Sequence, residues 1–80
     1  MKIPCIKKLV DNYSPDELKA AEEAILEEQN PAIEVEGEDE GEKLTHVMAA
    51  RFIKQEMQDK AVDYMTALRT YSSRVRSSIS

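Results

Sequence analysis

With a single cysteine in 80 residues, no disulfide can close within the chain. One cysteine and one histidine also fall short of any structural zinc pattern. Tryptophan is missing, and one phenylalanine with three tyrosines supplies little rigid bulk. Two glycines, Gly37 and Gly41, spell no phosphate-cradling loop, and no G-x-S-x-G elbow occurs. No apolar run approaches the ~20 residues of a membrane span. Ile3–Val10 is too short for an export signal and is interrupted by Lys7 and Lys8. These absences point away from secretion, membrane insertion and cofactor chemistry, so a cytoplasmic protein is expected. A chain this short can hardly wall a substrate pocket by itself, so a non-enzyme is expected too.

What remains is one domain, residues 1–80, with a thin stability margin. Chains of this size bury only about 60% of their unfolded surface. Tight helix packing or oligomerisation must therefore supply what disulfides and metals do not. Charge is distributed unevenly. Three lysines give residues 1–10 a charge of +3. Thirteen acids against one lysine give residues 11–42 a charge of −12, and seven bases against three acids give residues 43–80 a charge of +4. The net −5 and this alternation read as halves that neutralise one another, within a chain or across a dimer, rather than as a nucleic-acid surface. The arginines at 69, 74 and 76 are accordingly expected to bridge to the acidic middle.

Along the chain, Ile3, Ile6, Leu9/Val10 and Tyr13 recur at helical spacing, with Pro4 at a position that tolerates a missing N–H. Tyr13-Ser14-Pro15-Asp16-Glu17-Leu18 is a compound helix start. Ser14 is the N-cap, Glu17 completes a capping box, Pro15 takes the first helical position, and Tyr13 with Leu18 forms a hydrophobic staple. Leu18, Ala21, Ala24 and Ile25 make the apolar arc of that helix. Leu26 falls outside the arc, as a second contact or an exposed leucine. Asn30-Pro31 ends the helix. Ala32–Gly37 alternates apolar and acidic with period two, which fits either an extended connector or a lone strand needing a second copy; the connector is favoured. Glu38–Glu42 reads as a solvated acidic loop.

The most apolar stretch is Lys43–Met57. At about 100° per residue, Leu44, Met48 and Phe52 share one arc. Ala50, Ile53 and Met57 share another, nearly opposite, with His46 beside them. A helix with two apolar faces has to be covered twice. The second face, Ala50/Ile53/Met57, is expected to be buried by a second copy of the chain. Further on, Ala61, Met65, Leu68, Ser72, Val75 and Ile79 form an amphipathic stripe. Asp59 or Asp63 is placed to cap a separate last helix, although the phase also permits one helix running from Glu42 to Ile79. A break near Asp59–Asp63 is preferred, with fraying after Arg76. The expected fold is all-α, with helices near 3–12, 15–29, 42–58 and 63–77 and an acidic connector at 32–41.

Two small constellations carry candidate chemistry. Cys5 lies near Lys7 and Lys8 at a helix start, where a thiol can be activated, although a lone cysteine is more often a small buried hydrophobe. Glu42 and His46, four apart on one helix face, have divalent-metal spacing but lack a second ligand-bearing element, so a packed histidine beside a solvated acid is the simpler reading. The leading expectation is a homodimeric interaction or structural module. Thiol redox through Cys5 and metal binding through Glu42/His46 are the alternatives.

The opening MKIPCIKKL and the run AIEVEGEDEGEKLTHVMAARFIK resemble a family of short bacterial proteins, typical of Bacteroidota and catalogued as a domain of unknown function. The likeness spans nearly the whole chain and implies no activity, cofactor or catalytic residue. Proximity to thioredoxin-like and peroxiredoxin genes, which goes with the resemblance, implies at most a link to thiol or peroxide metabolism. Cys5 adds no support to that link.

Overall fold

The computed structural model describes residues 2–79 and contains four helices: α1 (Ile3–Asn12), α2 (Pro15–Leu26), α3 (Glu40–Lys60) and α4 (Tyr64–Ile79). No strand occurs among the described residues; Ile33 and Val35 belong to an extended connector, with Val35 buried in the core. The 21-residue α3 is the axis, and α1, α2 and α4 each pack against it.

Each helix begins and ends for a local reason. Pro4 lies in the first turn of α1, where its missing N–H costs nothing. At the head of α2 the full capping box forms: Ser14 Oγ accepts from the Glu17 N–H at 3.2 Å, and the Glu17 carboxylate accepts from the Ser14 N–H at 3.0 Å. Helix α2 stops at Leu26, earlier than the expected residue 29, because Glu28 turns left-handed with φ 60°. The Gln29 N–H then reaches Ala24 O and the Glu28 N–H reaches Ile25 O, a Schellman closure with glutamate in the place glycine usually fills. Helix α3 starts earlier than residue 42 because Asp39 caps it, its carboxylate accepting from the Glu42 N–H at 2.7 Å.

A single helix from 42 to 79 does not form. Ala61 takes φ 51°, ψ 43° and ends α3, and Asp63 opens α4 by accepting the Thr66 N–H at 2.8 Å. Asp63, not Asp59, is the cap. Helix α4 continues to Ile79, past the fraying expected after Arg76.

The core joins Ile6, Leu9 and Val10 of α1, Leu18, Ala21 and Ile25 of α2, Val35, then Val47, Ala49, Ala50 and Ile53 of α3 and Ala67 and Leu68 of α4. Full burial of each large aliphatic side chain contributes about 1.5–3 kcal/mol. The expected partner-covered face is thereby corrected. Ala50 and Ile53 are fully buried within one chain, and Met57 packs half-buried against the same core. The arc left more open is the other one: Met48 is 48% exposed, with Leu44 and Phe52 half-buried. Which arc of a two-faced helix is closed depends on where three other helices dock, and here the closed arc is the one that periodicity alone assigned to a partner.

Charge neutralisation takes place inside the chain. Lys2 lies 3.7 Å from Glu38, Lys8 2.7 Å from Glu36, and Arg51 pairs with the largely buried Glu22. All three join a basic end segment to the acidic middle. Arg74 lies over the Phe52 ring, 5.1 Å from its centroid, and no ion pair to the acidic middle is found for Arg69 or Arg76 among the described residues.

Candidate functional site

Two regions of the surface combine polar chemistry or exposed apolar area. The first is organised by Glu36, on the connector. Its backbone carbonyl lies 2.7 Å from His46 Nδ1, while His46 Nε2 lies 2.9 Å from the Lys2 backbone N–H. A carbonyl can only accept and an N–H can only donate. The imidazole is therefore the neutral form carrying its proton on Nδ1. His46 is fully buried, and it ties α3 to the connector and to the entrance of α1. Gly37, next in the chain, rests against the first turn of α3: a Cβ there would lie 2.9 Å from Lys43 N.

This geometry corrects the metal expectation. Both ring nitrogens of His46 are engaged inside the chain, and Glu42 Oε1 accepts from the Glu38 N–H at 3.4 Å. Glu42 and His46 do not form a ligand pair, and no group of three or more His, Cys, Asp or Glu suited to a metal occurs among the described residues.

The Glu36 carboxylate faces the other way, toward α1. Its Oε1 accepts from Lys8 Nζ at 2.7 Å and its Oε2 accepts from the Cys5 thiol at 3.3 Å. The Lys8 hydrogen bond, followed by that from Cys5, holds the Glu36 carboxyl below its ordinary range. The same arrangement raises the Cys5 thiol, first through its hydrogen bond to the carboxylate. A neighbouring carboxylate thus outweighs the lysines that suggested activation. The shift favours the protonated thiol over the thiolate. Beside it lies a small cavity of about 190 Å³ lined by Lys8, Leu9, Asn12, Tyr13, Glu34 and Glu36. Its walls are polar and partly open, and the carboxylate they bring to the thiol is that of Glu36, which accepts its hydrogen bond.

The second region lies between α1 and the start of α4. Ile3, Pro4, Tyr64, Met65 and Leu68 line an open groove of about 790 Å³, with Lys7, Lys8 and Asp63 at its rim. Ile3 and Met65 are 50% and 53% exposed, two of the four exposed large hydrophobic residues among those described. Helices α1 and α4 both pack on α3 but touch each other little, which leaves the valley open. Lys7 Nζ sits 5.0 Å from the Tyr64 ring centroid and 2.8 Å from Asp11, bridging the two walls. Burial raises the Tyr64 hydroxyl, and that hydroxyl has no hydrogen-bond partner among the described residues. Periodicity alone did not single out this groove. Ile3 and Met65 sit on amphipathic stripes that read as core, and only the docking angles reveal that they are left outside it.

No helix among the described residues is long and apolar enough to cross a membrane. A family model described as a family of unknown function (DUF6952) matches residues 1–80, and the chain belongs to that family. No curated protein and no solved structure matches it.

Proposed function

We propose, since membership of that family brings no activity with it, that the chain is a cytoplasmic, Bacteroidota-type interaction module that acts as a homodimer and not as an enzyme. The observation that supports this reading is the groove between α1 and α4. Its walls are almost wholly apolar, it is wide open, and it exposes Ile3 and Met65 at about half their surface. Exposed apolar residues gathered in a charge-rimmed groove offer a partner a contact, and unbranched methionine adapts to a partner's shape. The proposed contact lies away from Ala50, Ile53 and Met57, which are committed to the chain's own core.

Substituting Met65→Glu places a charge in the groove without touching a buried side chain. Sedimentation is expected to show the wild-type dimer lost in this variant, with helicity by circular dichroism unchanged. Met48→Glu, on the far arc of α3, is expected to leave the dimer intact. A dimer that withstands Met65→Glu and is broken by Met48→Glu moves the contact to the α3 face and rules out the groove.

A further inference from the structure

From the distribution of charge around the exposed apolar residues, we infer that the groove receives the C-terminal end of α2 from a second copy, centred on Leu26, in a reciprocal pair. The inference rests on the homodimer reading above and names the surface that fills the groove.

Leu26 is 63% exposed, the most exposed of the large hydrophobic residues described. Its setting is acidic. Glu23, Glu27 and Glu28 surround it, and none of the three forms an ion pair among the described residues. The last turn of α2 also contains no basic residue. Helix C-termini carry partial negative charge, so glutamates there are unfavourable until a cation approaches. The end of α2 is therefore an apolar knob inside an uncompensated negative field.

The groove is its complement in shape and, along the α1 side, in charge. It is concave, its rim bears Lys7 and Lys8 as well as Asp63, which already caps α4, and it includes the first turn of α1, a positive helix end. No side chain caps the start of α1. Lys7 and Lys8 already meet Asp11 and Glu36, but both pairs are exposed, and each ammonium has three donors of which one is used. They can accept a further carboxylate from a partner. Met48, the other exposed apolar residue, lies beside both Arg51 and Glu22 and offers no such match.

Area favours reciprocity. A stable interface covers about 800 Å² per partner, a large share of the 5303 Å² that this chain exposes. One knob in one groove falls short of that. In a two-fold pair the contact occurs twice, Leu26 of each chain entering the groove of the other.

Charge exchange tests this directly. One variant carries Lys7→Glu and Lys8→Glu in the groove, the other Glu23→Lys and Glu27→Lys on α2. Each alone is expected to weaken dimerisation by about tenfold or more. Mixed together, they are expected to form the mixed dimer in preference to either homodimer, because both contacts in that pair are complementary. Leu26→Ser, at an exposed site that no core contact depends on, is expected to weaken the dimer while unfolding at the same temperature. A wild-type dimer that ignores Leu26→Ser and shows no mixed-pair preference overturns this pairing but leaves the groove reading standing. Open-ended polymers overturn the closed pair, and a wild-type chain that never dimerises overturns both.

Discussion

At the scale of single residues, the structure holds two backbone positions that their side chains do not favour. Glu28 and Ala61 both take left-handed angles at helix ends, where a Cβ meets the neighbouring carbonyl and glycine does not. Glu28→Gly and Ala61→Gly are each expected to stabilise the fold by about 0.5–1 kcal/mol in urea denaturation. Ala20→Gly, in the exposed interior of α2, is expected to cost about 1 kcal/mol. Asp63 gives a pH signature. The hydrogen bond from Thr66 holds its carboxyl below the ordinary value, so its contribution is present at neutral pH and is lost as pH falls through the folded value. Asp63→Ala is expected to lower the thermal midpoint at neutral pH and to flatten its decline in acid. Asp63→Asn, which still offers an oxygen to the Thr66 N–H, should keep most of the neutral-pH stability while also flattening that decline. The Cys5 thiol, raised by Glu36, is expected to label slowly with iodoacetamide at neutral pH and faster in Glu36→Gln.

At the scale of elements, what could be read from the sequence depended on the distance between cause and effect. Ser14, Pro15 and Glu17 act within one turn, so the start of α2 was legible; its end was not, because the left-handed Glu28 closes the helix before Asn30-Pro31 is reached. A cap at Asp59 or Asp63 was legible for the same reason, and the backbone selects Asp63. Ala61 was not, because alanine carries no signal for left-handed backbone and adopts it here only where the turn from α3 to α4 demands it. His46 was read as a ligand candidate because Glu42 is four residues away. Its true partners, Glu36 and Lys2, are 10 and 44 residues distant and appear only once the connector and α1 lie on α3. His46→Ala leaves a buried N–H and carbonyl unpaired and a space behind. The expected cost is about 2–4 kcal/mol by chemical denaturation, with zinc giving no stabilisation of the wild type. The arcs of α3 show the same limit. Periodicity identified two apolar faces correctly but could not say which one the neighbouring helices would close.

At the scale of the whole molecule, the 80 residues solve their small-core problem by pinning three helices to one long axis and tying the acidic middle to the basic ends. That solution closes Ala50 and Ile53 inside and leaves a basic-rimmed apolar valley and an acidic apolar knob outside. On the proposed reading, these complementary surfaces bring two copies together. Sedimentation equilibrium of the unmodified chain, from micromolar to millimolar concentration, measures this most directly. The mass should rise from 9.1 kDa to twice that value and stop there. A mass that stays at 9.1 kDa across the whole range would mean that the groove and Leu26 simply face water.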